Sequence, residues 1–184
     1  MRDKREIRRE IAERKRLLTE QEKRLSASEL CAALMSDGRL AESSDVVAYM
    51  PMADEIDIRE LTEGMLRRGQ RVYLPVMVGD ELEFREYTGP GCLTIEPRYG
   101  INEPRGTELL RVGGETETRR MAVIVPGVAF TRDGDRLGRG RGFYDRALSA
   151  LRGAYTIGVG YACQLEDTLP TEAHDIRLDA VVTR

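Results

Sequence analysis

The sequence predicts a single α/β domain, with a largely parallel central sheet flanked by helices and a basic helix at the N-terminus. Short apolar runs typical of strands alternate along the chain with segments of helical spacing, and this alternation favours a parallel sheet. The chain has 184 residues, of which 41% are apolar and 33% charged, enough for one core under a charged surface. No linker, repeat or low-complexity tract divides it, so we expect one domain over residues 1–184.

The first predicted helix covers residues 3–25, which are rich in Arg, Lys and Glu. Its apolar residues form a narrow stripe of Ile7, Ile11, Leu18 and Leu25, with spacings of four and seven residues. Such a stripe predicts a helix that packs on the domain through one face and exposes its basic residues on the other.

Three further helices are indicated by capping signals or by apolar spacing. Ser26–Glu29 has the form of a capping box and predicts a helix that runs to about residue 35. Apolar residues recur three and seven positions after Ile58 and predict another helix, for which Gly69 is a suitable stop. The last helix is expected over residues 143–151.

Six apolar runs are predicted as strands. They cover residues 46–50, 72–76, 81–85, 122–125, 156–161 and 179–182. Ala122–Val125 has no polar residue and should lie at the centre of the sheet. Leu82 and Phe84 alternate with charged residues, as in a half-exposed strand. Residues 88–119 are rich in glycine and proline and are predicted as a long loop, a feature that is more often functional than idle.

Charge and cysteine content exclude several classes of protein. The formal charge is −3 and the pI about 5.5, so the chain lacks the overall positive charge that is typical of nucleic-acid-binding proteins. Residues 1–24 alone, however, carry a net charge of +4. The three cysteines are far apart without CxxC spacing, which supports neither a zinc site nor a disulfide framework. No run approaches 18 apolar residues, and we expect a cytoplasmic protein that does not enter a membrane.

The segment Arg136–Asp145, with the sequence RLGRGRGFYD, carries the strongest functional signal. Alternating glycines let the backbone turn sharply and point several N–H groups at one place. The interleaved arginines supply forked donors suited to phosphate, and the acid at the end can hold a hard cation. These features together predict a site for a metal-bound polyphosphate.

Other interpretations of this glycine–arginine segment are open from spacing alone. It is neither a P-loop nor a dinucleotide fingerprint, since no GxxxxGK[ST] occurs and the glycine spacing is GxGxG. It could be an exposed turn with solvated arginines, or it could bind single-stranded nucleic acid. The predicted strand before it and the helix after it favour phosphate binding, because ligands in open α/β sheets bind at the carboxyl ends of strands.

Two acidic segments and the basic helix are further candidates. Glu55 and Asp57 follow a predicted central strand, where they could orient polar ligand groups or cap the next helix. His174 is the single histidine, which excludes a multi-histidine metal site and is itself more typical of a structural residue. Asp175 beside it could be a second carboxylate for a cation, but sequence spacing does not tell how far it lies from Asp145.

An ordered set of motifs spans nearly the whole chain. The motifs are Lys4–Arg8, Tyr49–Asp57, Leu74–Pro75, Gly100–Pro104, Val125–Phe130, Gly134–Arg146 and Pro170–Asp179. In this order they resemble the 5-formyltetrahydrofolate cyclo-ligase (methenyltetrahydrofolate synthetase) family. The resemblance implies a ring-forming ligase that uses ATP and Mg²⁺ to convert 5-formyltetrahydrofolate to 5,10-methenyltetrahydrofolate, with ADP and phosphate released, through a phosphorylated formyl intermediate.

The resemblance also implies roles for particular residues. The nucleotide would be bound by Lys4, Arg5, Arg8, Arg136, Leu137, Gly138, Arg139, Gly140, Arg141, Gly142, Phe143 and Tyr144. The reduced folate would face Met50, Glu55 and Phe143, and Mg²⁺ would be held by Asp145 and Asp175, directly or through water. Arg139 is the first choice for a catalytic group that stabilises the transferred phosphoryl group. A monomer or small homo-oligomer is expected, with no nucleic-acid or membrane partner.

Three residues depart from the family pattern. Thr131 stands where the family often has Asp, Phe143 where Tyr is usual, and Arg141 where Lys or Gly is common. Such departures fit an altered substrate preference within the family. Two other functions also stay open: a relative that binds ATP or another phosphate compound for regulation without turnover, and a nucleic-acid-binding protein that uses the glycine–arginine segment and the basic helix. The acidic remainder of the chain and its few aromatic residues argue against the second.

Overall fold

A six-stranded sheet forms the centre of the fold in the computed structural model, which describes residues 2–79, 81–96, 100–105, 108–110, 120–172 and 175–184. Its strands are β1 (Asp45–Val47), β2 (Arg71–Val78), β3 (Glu81–Tyr87), β6 (Met121–Pro126), β9 (Tyr155–Gly160) and β10 (Ala180–Thr183). The order is β10-β9-β6-β1-β2-β3, and every neighbouring pair is parallel except β2 and β3. The predicted fold class is thereby confirmed, with the apolar strand β6 in the interior of the sheet.

Five helices surround the sheet in the part of the chain that the structure describes. They are α1 (Lys4–Arg16), α2 (Glu20–Met35), α3 (Gly38–Glu42), α4 (Arg59–Arg67) and α5 (Phe143–Ala150). Alternate residues of the strands point to opposite faces of the sheet. Leu34 and Leu61, from α2 and α4, pack with Val46 on one face, whereas Leu148 of α5 packs with Val47 on the other. Helices therefore cover both faces, as buried parallel strands require.

The prediction of one helix over residues 3–25 is wrong. The first helix ends at Arg16, and Thr19 begins a second one, because its hydroxyl accepts a hydrogen bond from the Glu22 N–H while the Glu22 carboxylate accepts one from the Thr19 N–H. The capping box therefore lies at Thr19–Glu22, and Ser26–Glu29 lies inside α2 instead of opening it. Leu25, the last member of the predicted stripe, is 60% exposed.

The long loop predicted over residues 88–119 contains regular structure in its described parts. A 3₁₀ turn at Pro90–Cys92 leads into β4 (Leu93–Ile95), which pairs with β5 (Asn102–Pro104) in an antiparallel ladder. Residues 97–99, 106, 107 and 111–119 lie outside the described part of the chain. The sequence analysis also missed α3 and a second small ladder, in which β7 (Ala129–Phe130) pairs with β8 (Arg136–Leu137).

A separate apolar cluster attaches α1 to this second ladder. Ile7 and Ile11 are 1% and 0% exposed and pack with Ala129, Leu137 and Leu169. The two isoleucines are four residues apart, so both lie on one face of the helix. The basic helix is therefore fixed beside β8, the strand that begins the glycine–arginine segment.

Candidate functional site

The carboxyl ends of two adjacent strands open into a cavity of about 740 Å³. Tyr49 and Met50 line it just beyond β1, and Pro126 and Gly127 line it at the end of β6. This is the edge at which open α/β sheets bind their ligands. All the predicted site residues except Arg5 line this one cavity.

The glycine–arginine segment forms one wall of the cavity. After β8 the chain passes through Gly140, whose φ is +95°, and Gly142, whose φ is +66° and which is the N-cap of α5. Such φ values suit glycine far better than any other residue. The amino end of α5 thus meets the cavity with a glycine cap that has no side chain, an arrangement that favours an anionic ligand.

Arg136 is buried in that wall, with its side chain 4% exposed. Its guanidinium donates to the Asp145 carboxylate at 2.6 Å and to the Pro126 carbonyl at 3.4 Å, and it lies 5.7 Å from the centre of the Tyr144 ring. Its Nε atom has no acceptor among the described residues. A buried guanidinium with an unused donor at the edge of a cavity is suited to an oxyanion ligand.

The basic helix α1 supplies the cations on the adjoining side. Arg8 donates from Nε to the Gly138 carbonyl at 2.9 Å, and Lys4 lies 2.7 Å from the Glu172 carboxylate and 3.3 Å from Asp175. The pKa of Lys4 is raised, chiefly by its hydrogen bond to Glu172. Arg5 lies on the exposed face of α1, one residue along the helix from Lys4, and does not line the cavity.

The acidic segment after β1 faces the glycine–arginine segment. Glu55 accepts hydrogen bonds from the Met52 N–H at 3.0 Å and from Arg139 at 3.2 Å. Asp57 does not line the cavity and instead accepts hydrogen bonds from the backbone and side chain of Arg59, the first residue of α4. Of the two acids singled out in the sequence, Glu55 therefore belongs to the cavity, and Asp57 pairs with the first residue of α4.

Both carboxylates predicted to hold a metal line the same cavity. Asp145 is paired with Arg136, and Asp175 accepts from Lys4 and from the Glu172 N–H at 2.8 Å. Within the described ranges, no three His, Cys, Asp or Glu residues come close enough together to hold a metal by themselves. Two carboxylates fit Mg²⁺ when substrate phosphates and water supply the other ligands, which is the usual arrangement for this ion. His174 lies outside the described residues.

Sequence reasoning missed the far end of the cavity. This end is lined mainly by apolar residues, namely Pro75, Met77, Leu82 and Ile101, together with Glu103. Glu103 accepts a hydrogen bond from the Met77 N–H at 2.9 Å, and burial raises the pKa of its carboxyl group. These residues come from β2, β3 and the β4–β5 region, so only the fold brings them together, although Gly100–Pro104 had been marked as a motif.

Comparison with known proteins adds evidence independent of this geometry. The sequence model described as the 5-formyltetrahydrofolate cyclo-ligase family matches residues 1–184. The chain belongs to the 5-formyltetrahydrofolate cyclo-ligase family. A cyclo-ligase of this name from Escherichia coli is 36% identical over 179 residues, covering 94% of this chain and 96% of that protein. A cyclo-ligase from Mycolicibacterium smegmatis is 37% identical over 145 residues, covering 75% of this chain and 72% of that protein.

Solved structures agree with this cyclo-ligase assignment. The 5,10-methenyltetrahydrofolate synthetase of Aquifex aeolicus superimposes with a TM-score of 0.84 at 31% identity, covering 98% of this chain and 89% of that one. A synthetase of the same name from Mycoplasma pneumoniae shares the fold, with a TM-score of 0.75 at 22% identity. The family and the enzyme class predicted from the motifs are confirmed.

Two departures from the cyclo-ligase pattern have visible consequences. Thr131 is 2% exposed, and its hydroxyl accepts from the Asp135 N–H at 3.0 Å, so it closes a turn between β7 and β8. Phe143 lines the cavity without a hydroxyl, and the Arg146 guanidinium lies 5.3 Å from the centre of its ring.

In the described part of the chain, no helix has the length and apolar composition needed to cross a bilayer.

Proposed function

We propose that this protein closes the ring of 5-formyltetrahydrofolate to give 5,10-methenyltetrahydrofolate, in a reaction that consumes Mg-ATP. The observation that carries the proposal is the single cavity lined by the glycine–arginine segment, by Lys4 and Arg8, and by Glu55 on the opposite segment. A cavity of about 740 Å³ is within the usual range of small-molecule sites. The names of the family and of its relatives support the same activity.

The proposed reaction has two steps. The formyl oxygen attacks the γ-phosphorus of ATP, the bond to the β-phosphate oxygen breaks, and ADP leaves. The N10 amine then attacks the carbon of the resulting iminium phosphate, phosphate departs with the bonding electron pair, and the N10 proton passes to solvent. Phosphorylation turns a poor leaving group, the formyl oxygen, into a good one. Positioning and charge neutralisation dominate such phosphoryl transfers, and this cavity is rich in donors and cations.

The nucleotide would lie along the glycine–arginine segment and α1. The amino end of α5 and the Nε atom of Arg136 offer donors for phosphate oxygens. Lys4 and Arg8 add positive charge from α1. Arg139 would stabilise the transferred phosphoryl group. Its guanidinium is paired with Asp54 and with Glu55, the acid expected to face the folate, which supports a position between the nucleotide and the folate. Arg5 has no comparable placement, and its nucleotide contact stays a prediction of the sequence.

The folate would occupy the end of the cavity near Met50, Glu55 and Phe143. Apolar side chains at this end suit a flat pterin ring, and the Glu55 carboxylate can accept hydrogen bonds from its N–H groups. Asp145 and Asp175 would hold Mg²⁺, which would neutralise negative charge on the phosphate groups during the transfer. A cytoplasmic location and a monomeric or small homo-oligomeric state stay predictions as well.

The direct test is the ultraviolet absorbance of the methenyl product after the protein is mixed with 5-formyltetrahydrofolate, ATP and Mg²⁺. Product is expected in the complete mixture and not when ATP is left out or Mg²⁺ is chelated, with one phosphate released per product. Intact ATP binding without product would favour a regulatory binding protein. Tight binding of oligonucleotides that weakens steeply with salt would favour the nucleic-acid alternative.

A further inference from the structure

Three charged side chains form a bridge that joins α1 to the cavity. Lys15 donates to the Asp54 carboxylate at 2.8 Å, and Arg139 donates to the other oxygen of the same carboxylate at 2.5 Å. Lys15 and Asp54 do not line the cavity, whereas Arg139 does. The bridge therefore runs from the N-terminal helix, through the acidic segment, to the residue expected to act on the transferred phosphoryl group.

Lys15 is the buried end of this bridge. Its side chain is 8% exposed, an unusual state for a lysine, and Asp54 supplies both of its hydrogen-bond acceptors among the described residues, the carboxylate and the backbone carbonyl at 2.8 Å. A buried ammonium group needs a paired anion to offset the loss of hydration. Lys15 therefore holds both the backbone and the side chain of Asp54 in place.

Asp54 divides its two carboxylate oxygens between two cations. Burial acts to raise its pKa, but the hydrogen bonds from Lys15 and Arg139 outweigh burial, so the pKa of Asp54 is lowered. The group is thus an anion at neutral pH. One oxygen of Asp54 thus holds Arg139 while Lys15 holds the other.

Arg139 needs such support because it is long and 44% exposed. An arginine side chain of this kind has many rotamers, and fixing them costs conformational entropy. Its second acceptor, Glu55, lies at 3.2 Å, but that carboxylate is expected to bind the folate. Asp54 is then the acceptor that still holds Arg139 once substrate is bound.

We propose that Asp54, fixed by Lys15, is a positioning residue that sets the guanidinium of Arg139 for phosphoryl transfer. The inference rests on the proposed function, because it assumes that Arg139 acts in that step. Asp54 does not line the cavity, so it is not expected to contact either the nucleotide or the folate. Its effect on the reaction passes through Arg139 alone, and this distinguishes it from a residue that merely supports the fold.

The first experiment compares Asp54→Asn with the wild type in the product assay. The amide keeps the size of the side chain but loses the charge that pairs two cations, so we expect kcat to fall by about tenfold to a hundredfold. The KM for ATP should change much less, and Asp54→Glu should restore part of kcat. Glu63→Gln is the matched control, since Glu63 pairs with Arg67 on α4 away from the cavity and its loss should leave kcat unchanged.

A double-mutant cycle then tests the path of the effect. In an Arg139→Ala background, Asp54→Asn should lower kcat no further, and Lys15→Met should behave like Asp54→Asn in both backgrounds. If the double variant instead shows the product of the two single losses in kcat, the proposal is overturned. A folded Asp54→Asn variant with the kcat of the wild type would also overturn it.

A second readout does not depend on turnover. Nitrogen-15 spectra of the Arg139 guanidinium, assigned with Arg139→Lys, should show restricted rotation in the wild type and faster rotation in Asp54→Asn. Equal rotation in both proteins would overturn the bridge. A wild-type protein that gives no product but shows the restricted rotation would instead contradict the proposed reaction and leave the bridge supported.

Discussion

Arg136 donates a hydrogen bond of 2.6 Å to Asp145, the carboxylate predicted to hold Mg²⁺. A Mg²⁺ ion at this predicted site would therefore compete with the buried guanidinium for one anion at the edge of the cavity. Asp145 would then share or exchange its partner, and Arg136 would become available to a phosphate oxygen. Metal and nucleotide binding are expected to favour each other for this reason.

Asp145→Asn should weaken the binding of Mg-ATP and shift turnover to higher Mg²⁺ concentrations, because the amide removes the negative charge that attracts the cation. The measurement is a titration of Mg²⁺ at fixed ATP, followed by calorimetry and by product formation. Asp133→Asn is the control, since Asp133 is exposed and does not line the cavity. An unchanged Mg²⁺ dependence in Asp145→Asn would show that the carboxylate serves only to hold Arg136.

Much of the site could be predicted because its chemistry is concentrated in short motifs. Gly140 and Gly142 do have the positive φ values for which alternating glycines are suited, and Asp145 does face the same cavity as Asp175. The interior position of β6 follows from the apolar run Ala122–Val125, whose lack of polar side chains requires burial on both faces.

Other features depend on contacts that no local pattern encodes. Asp54 and Arg139 are 85 residues apart in sequence, and Glu103 and Met77 are 26 apart, so only the packed fold joins them. The prediction of a helix across Thr19 was wrong for a different reason. Thr19–Glu22 and Ser26–Glu29 offer the same capping chemistry, so the local pattern alone does not show which of the two begins the helix.

Arg139→Ala should lower kcat more than it weakens ATP binding, if the guanidinium acts mainly on charge that develops during phosphoryl transfer. Loss of one such donor costs about a hundredfold to a thousandfold in kcat. Steady-state kinetics and ATP calorimetry separate the two effects, with exposed Arg132→Ala as the control for lost charge. Normal turnover together with weak ATP binding would instead make Arg139 a nucleotide-binding residue.

Gly140→Ala should strain the glycine–arginine segment. The added methyl group would lie 3.4 Å from the Arg8 guanidinium, which is tolerable, but the φ of +95° is unfavourable for alanine by about 1–2 kcal/mol. The segment is expected to relax away from this geometry, so both Tm and ATP affinity should fall. Gly38→Ala is the matched control, because Gly38 begins α3 with open space around it. Equal ATP affinity in Gly140→Ala and the wild type would contradict a nucleotide-binding role for this backbone.

Glu166 fixes α1 to the body of the protein. Its side chain is 6% exposed and accepts from Arg14 at 2.5 Å and from Arg2, so one carboxylate binds the last turn of the helix and the segment just before it. Burial acts to raise its pKa, but the hydrogen bonds from the two arginines lower it overall. Because the folded-state pKa lies below the unfolded value of about 4.3, the stabilisation is complete at neutral pH and is lost as the pH falls through the folded pKa.

Glu166→Gln should therefore destabilise the protein at neutral pH by about 1–3 kcal/mol and make its stability less dependent on pH below about 4. Thermal melts between neutral and acidic pH measure both effects, and the two melting curves should converge in acid. ATP affinity should also fall, because α1 carries Lys4 and Arg8 to the cavity. Glu63→Gln, which removes an exposed pair, should change stability by less than about 1 kcal/mol. Melting curves of Glu166→Gln and the wild type that stay equally far apart at acidic and neutral pH would show that the ion pairs of Glu166 do not anchor the helix.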